Sequence, residues 1–144
     1  MPTRSATASW SGGLKSGKGT LKVESGAFSG PYEYMSRFEQ GPSTNPEELI
    51  GAAHAGCFAM FLSSLLEGNK TPAEQIDAKS SVTLTPGEKG PTITKIDLSV
   101  VAVVSGITDA KFQEIAKDAK SRCPVSKSLA SVATMTLDAK LKSA

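Results

Sequence analysis

The chain has 144 residues, with 16 lysines and arginines against 14 aspartates and glutamates, a formal net charge of +2 and 39% hydrophobic residues. That length makes one ordinary domain, residues 1–144, able to bury a core without staples. The lysines are dispersed and no basic run is interleaved with aromatics, so no nucleic-acid partner is expected.

The first ten residues, MPTRSATASW, lack the apolar core of a signal peptide. Residues 3–10 read as a first strand, and the Gly, Ser and Lys content of Ser11 to Gly19 as a turn. Leu21-Lys22-Val23-Glu24 alternates apolar and charged as a half-buried strand does. After a second turn at Gly26–Pro31, Tyr32 to Phe38 is expected as a third strand carrying Arg37. These three predict a small antiparallel meander. The longest organised stretch follows, NPEELIGAAHAGCFAMFLSSLLE from Asn45 to Glu67. Asn45 can cap a helix, Pro46 suits its first position, and Glu47 and Glu48 favour the positive end of its dipole. Glu48 stands where a capping box would close, and Gly68 and Asn69 end the run. Apolar residues surround nearly the whole circumference, so burial on most sides is expected. Ser63, Ser64 and Glu67 interrupt the run before membrane-spanning length, so no membrane partner is expected.

Thr71-Pro72-Ala73-Glu74 suggests one capped turn, and residues 77–85 a strand. Pro86-Gly87-Glu88-Lys89-Gly90-Pro91 signals a hairpin into Thr92–Val104, where Ile96, Leu98, Val100, Ala102 and Val104 share one face. Asp109 is a candidate cap for a helix from Ala110 to about Arg122, with Phe112, Ile115, Ala116 and Ala119 at helical spacing. Pro124 then suits the start of a short helix, which puts Cys123 at its mouth. Ala133–Leu141 alternates as a last strand. The fold class is α+β, with antiparallel sheets around a buried central helix.

Two cysteines, Cys57 and Cys123, lie far apart in the sequence. A domain of this size needs no disulfide and the cytosol is reducing, so the pair reads as two inert core thiols or as a redox couple. One histidine and no CxxC argue against a zinc site within one chain. A reactive Cys57 requires a positive charge to hold its thiolate. Arg37 is the candidate, with Glu47 fixing its guanidinium, because arginine stays charged and offers donors in a fixed fork. Their plainer readings are a surface strand charge and a helix-start carboxylate. Glu47 and Cys57 are separated by roughly 15 Å of helix axis, so a Glu47 that serves Cys57 at close range comes from a second chain. A helix apolar all round also wants cover. Both considerations point to a symmetric dimer. His54, one turn before Cys57, reads as a hydrogen-bonded core or interface histidine before it reads as a base. Trp10 and the two tyrosines read as core or interface. Phe58, Phe61, Met35 and Phe38 could line an apolar pocket or serve as ordinary core.

The helix TNPEELIGAAHAGCF, the upstream SRFE and the downstream CPVSKSL resemble the OsmC branch of the OsmC/Ohr family, as do WSGGLKSGKGTLKVESG, ITKIDLSVVAVV and TMTLDAKL. The likeness runs almost end to end. His54 stands where the sister branch usually has tyrosine, and Gly56 departs mildly from a common alanine. The resemblance implies an OsmC-like fold, an intertwined homodimer with two interface sites, and thiol-dependent reduction of organic hydroperoxides. It implies Cys57 as the peroxidatic and Cys123 as the resolving cysteine, with Arg37 and Glu47 as the activating pair. Cys57 would attack the peroxide and become a sulfenic acid, Cys123 would close a disulfide, and an external dithiol or lipoyl-type reductant would reopen it. No metal, flavin or haem cofactor is implied, and a cytoplasmic location is expected. The alternatives are a thiol redox sensor that does not turn over peroxide and a non-catalytic dimer that binds a small apolar ligand.

Overall fold

The computed structural model describes residues 1–143 and divides into two compact units, Met1–Leu49 and Ile50–Ala144. In the first unit, β1 (Ala6–Ser11), β2 (Lys18–Val23) and β3 (Ser29–Tyr32) form an antiparallel meander in the order β1-β2-β3. Gly19 faces the Tyr32 ring across this sheet, and a Cβ there would lie 2.6 Å from the Ser9 carbonyl oxygen. A bare backbone is what lets the ring lie flat on the sheet.

The third strand lies earlier than its sequence predicts, mostly over residues expected as the second turn. It stops at Tyr32, and Tyr34–Phe38 forms a short helix, α1. The segment YEYMSRF satisfies both periods. The helical one wins because it stacks Tyr34 on Phe38 with ring centroids 4.9 Å apart. It also buries Ser36, whose hydroxyl accepts the Ser43 N–H at 3.0 Å. Arg37 therefore leaves from the last turn of a helix and not from a strand.

Helix α2 (Pro46–Gly68) begins in the first unit and continues into the second. Asn45 Oδ1 accepts the Glu48 N–H at 2.8 Å, as the capping signal predicts. The reciprocal half of the box is replaced, because Glu48 Oε1 accepts the Thr44 hydroxyl at 2.6 Å. The helix does not bury most of its surface in one chain. Gly51, His54, Phe58, Leu62 and Leu66 form a buried stripe at three- and four-residue spacing. Ala52, Ala53, Gly56, Ser63 and Met60, the last 77% exposed, form an open face. By length and a mean hydropathy of 1.7 the helix would suffice to cross a membrane, contrary to the reading of Ser63, Ser64 and Glu67 as an interruption. Its stripe packs instead on a sheet. The left-handed residue that ends it is Lys70, at φ 63°.

That sheet comprises β4 (Ala73–Thr85), β5 (Thr92–Val104) and β6 (Thr134–Lys142), in the order β4-β5-β6. β4 begins at Ala73, so the expected capped turn is absent, and Glu74 sits at a register shift of the strand. β5 alternates as predicted, with Ile96, Leu98, Val100, Ala102 and Val104 all buried. β4 and β5 are antiparallel, but β6 runs parallel to β5, so the sheet is mixed and not purely antiparallel. The crossover through α3 (Asp109–Arg122) and α4 (Pro124–Ser128) returns the chain to the same end of the sheet, which a parallel pairing requires. Thr108, one residue earlier than expected, caps α3 by accepting the Lys111 N–H at 3.2 Å. The core joins Phe58, Leu62 and Leu66 of α2, Leu98 and Val100 of β5, and Phe112, Ala116 and Ala119 of α3. Each large side chain contributes about 1.5–3 kcal/mol by leaving water. Cys123 belongs to this core.

Candidate active site

Cys57 sits in the middle of α2, and Cys123 sits at the junction of α3 and α4, its N–H bonded to the Ala119 carbonyl at 2.9 Å. The junction closes because α3 ends where Pro124 cannot continue its hydrogen-bond ladder. The two sulfurs, 66 residues apart in sequence, share one hydrogen bond at 3.0 Å. Both thiols are free; Cys57 is half-buried and Cys123 is fully buried. Cys123 is therefore a core thiol that also lies within reach of Cys57.

Their protonation differs. Burial pushes the Cys57 thiol up from its ordinary value, the Cys123 hydrogen bond adds to the rise, and the Val125 N–H works against both. Burial acts to raise Cys123 as well. There the hydrogen bond to Cys57, the N–H and hydroxyl of Ser126 and the Val125 N–H outweigh it and bring the thiol below its ordinary value. These surroundings favour charge on the closed sulfur, while the open sulfur is the one a substrate can reach.

His54 is fully buried one turn before Cys57. Its Nδ1 meets the Ser80 hydroxyl at 2.9 Å and its Nε2 the Ser126 hydroxyl at 2.8 Å. Burial, and then the charge of Lys120, hold its pKa below 6.5. It is the hydrogen-bonded core histidine expected from the sequence. A Cβ on Gly51 would lie 2.8 Å from the Ser80 carbonyl oxygen, so the glycine is what lets α2 approach β4 closely enough for this bond. Ser80 and Ser126 were not singled out from the sequence. The one available signal is that a buried imidazole needs two polar partners, and serine is too common for that to name which.

In the Met1–Leu49 unit, Arg37 Nε and Nη2 both reach Glu47 Oε1 at 3.0 Å. The pair predicted from the sequence is formed. Glu47 is buried, and its Oε2 has no hydrogen-bond partner among the described residues. Arg37 also borders a cavity of about 220 Å³ with Trp10, Leu14, Tyr32, Tyr34 and Phe38. Trp10 and both tyrosines, expected as core or interface, thus line a cavity. Of the four expected lining residues, Phe38 does so; Phe58 is core, Phe61 packs against that core under Arg122, and Met35 is exposed. Among the described residues no group of three or more His, Cys, Asp or Glu side chains is placed to hold a metal ion.

The family described as OsmC-like protein matches residues 39–138. The chain belongs to the OsmC-like family. It is 48% identical over 138 residues to the protein named peroxiredoxin OsmC of Escherichia coli (strain K12), covering 94% of each chain. In fold it is similar to an organic hydroperoxide resistance protein from Elizabethkingia anophelis, with TM-score 0.73 and 21% identity over 100% of this chain and 98% of that one. It is likewise similar to OhrB of Bacillus subtilis, with TM-score 0.66 and 22% identity over 96% and 98%. At those identities the likeness establishes the OsmC/Ohr fold, which is the α+β architecture expected from the sequence.

Proposed function

We propose that this protein is a thiol-dependent peroxidase that reduces organic hydroperoxides to alcohols, with Cys57 as the attacking and Cys123 as the resolving cysteine. The observation that carries the reading is the pair of free sulfurs 3.0 Å apart, one open and one closed. The open Cys57 attacks the terminal peroxide oxygen as thiolate. The O–O bond breaks, the alkoxide leaves as alcohol, and Cys57 holds a sulfenic acid. Cys123 attacks that sulfur, the S–O bond breaks, water is released and a disulfide forms. An external dithiol or lipoyl-type reductant reopens it by exchange. The chain's own sulfurs and that reductant suffice for the cycle. A name shared with peroxidases supports the reading, since the 48% identical relative is called a peroxiredoxin.

Charge on Cys57 is opposed by its own surroundings, so the reading needs a cation, and Arg37 held by Glu47 takes that role. The aromatic cavity beside Arg37 suits the organic part of a hydroperoxide. The assembly that brings Arg37 to Cys57 is a homodimer. Three observations support it: roughly 15 Å of helix axis separates Glu47 from Cys57 on one helix, the face of α2 around Gly56 and Met60 is open, and buried Glu47 Oε2 lacks a donor among the described residues. A location in the cytoplasm fits a cycle that consumes dithiols. The second reading is a thiol sensor without turnover, favoured by the raised Cys57 thiol if no cation reaches it. Steady-state consumption of cumene hydroperoxide with dihydrolipoamide tests the choice. Sustained turnover that Cys57→Ser abolishes is expected. One equivalent consumed and no more would give the sensor, and full turnover by Cys57→Ser would overturn both.

A further inference from the structure

We infer that the Ile50–Ala144 unit carries a binding site for a small amphipathic organic anion, one negative group on an apolar tail, in the cavity between α3, α4 and the start of β6. The cavity holds about 490 Å³, a volume in the range of small-molecule sites. The Arg37 cavity, which the proposed peroxide chemistry uses, has a different lining and belongs to the Met1–Leu49 unit.

The space follows from the local sequence. α4 has only five residues, and the chain turns back through 129–133 before β6 begins at Thr134. Val132 from that turn and Met135 and Leu137 from β6 form the apolar wall. Strand alternation brings Met135 and Leu137 to one side of the sheet. All three side chains are half-buried, so the chain covers this wall only in part. An apolar tail laid on it removes the remainder from water.

The rim carries one sign of charge. Among the described residues, Lys117 and Lys120 of α3 and Lys127 of α4 line the cavity and no carboxylate does. The acids close by in sequence are engaged elsewhere. Asp118 holds Arg122 at 2.9 Å, Glu114 holds Lys111 at 3.0 Å, and Asp138 lies 3.8 Å from Lys140. Lys117 and Lys120 are three residues apart on one helix face, where like charges repel, and a bound anion relieves that repulsion. Lys120 is also held in place. Its Nζ donates to the Met135 carbonyl oxygen at 2.9 Å, which ties α3 to β6 and leaves two ammonium protons for a ligand. The lining hydroxyls are spent: Ser121 donates to the Asp118 carbonyl at 3.0 Å, and Ser126 meets His54 at 2.8 Å.

The two halves together set the ligand class. A metal cation is repelled by the lysines. An inorganic anion leaves the apolar wall uncovered. A neutral alcohol, the product of the proposed cycle, leaves the ammonium groups unmatched. Lysine presents a point charge and no fixed fork, so the site selects for a negative charge at the rim and an apolar body behind it.

Octanoate is the probe, titrated calorimetrically into the full-length protein. One saturable site per chain is expected, weakened by added salt. Acetate, which lacks the tail, is expected to bind at least about tenfold more weakly, and octylamine, of opposite charge, not to bind there. Lys120→Gln is expected to weaken octanoate about tenfold or more, and Lys117→Gln with Lys127→Gln about three- to tenfold. Val132→Asp sets a carboxylate in the cavity from the turn before β6 and is expected to abolish binding. Absent octanoate binding, equal binding of octylamine, or an unchanged affinity in Lys120→Gln overturns the inference. Binding lost in Arg37→Gln but retained in Lys120→Gln also overturns it, because the anion then sits in the Arg37 cavity. Should Lys120→Gln not fold, an unchanged affinity in Val132→Asp does so.

Discussion

Acidification acts on one identifiable group, because His54 is the chain's one histidine. Its ring is fully buried, both nitrogens are already bonded to serine hydroxyls, and burial and Lys120 hold its pKa below 6.5. The unfolded chain takes a proton there near 6.5 and the folded chain resists it, so the folded state binds fewer protons. Stability is therefore full above that value and falls as pH drops through it. One proton gives a slope of at most about 1.4 kcal/mol per pH unit, so acidification to one unit below the unfolded value costs at most about 1.4 kcal/mol. For a domain of this size that is a loss of at most about 3–6 °C in Tm. Urea or thermal unfolding of the unaltered protein and of His54→Gln at pH 7.5, 6.5 and 5.5 measures it. The unaltered protein is expected to lose stability faster than His54→Gln between pH 6.5 and 5.5. Parallel curves for the two would refute the reasoning that a neutral, buried His54 stabilises the fold.

Cys123→Ser is expected to allow one oxidation of Cys57 and then to stall, with sulfinic acid accumulating in excess peroxide, as intact mass would show by the added oxygens. Arg37→Ala is expected to raise the Cys57 thiol by about one to two pH units and to slow sulfenic-acid formation about ten- to hundredfold at pH 7, read by stopped-flow trapping. Gly51→Ala places a methyl 2.8 Å from the Ser80 carbonyl oxygen and is expected to destabilise by about 1–3 kcal/mol, measured by urea unfolding.

What could be read in advance was local. Asn45 and Pro46 mark the start of α2 because capping chemistry is written in adjacent residues. Ile96 to Val104 announce β5 because burial on one face imposes strict alternation. YEYMSRF was ambiguous because its aromatics satisfy both periods, and the Tyr34–Phe38 stacking that decides between them is a feature of three dimensions. The alternation of β6 fixes which face is buried but not which way the strand runs, so its parallel pairing was not legible. At the site, Cys57, Cys123, Arg37 and Glu47 stand out by residue type, and the structure forms the Cys57–Cys123 and Arg37–Glu47 pairs. Ser80 and Ser126 do not stand out, because only folding brings a serine 26 residues away and another 72 residues away onto one imidazole. That α2 wants cover was legible, but which of its faces stays open was not, because hydropathy records what a residue prefers and not which side one chain covers.

The central claim is that the two sulfurs 3.0 Å apart act as one redox couple. Thiol counting after one equivalent of cumene hydroperoxide, with peptide mass spectrometry, tests it directly. Loss of two thiols per chain, one equivalent of alcohol, and a disulfide between Cys57 and Cys123 of the same chain are expected. Two thiols retained, or a lasting sulfenic acid on Cys57 beside a free Cys123, would contradict it.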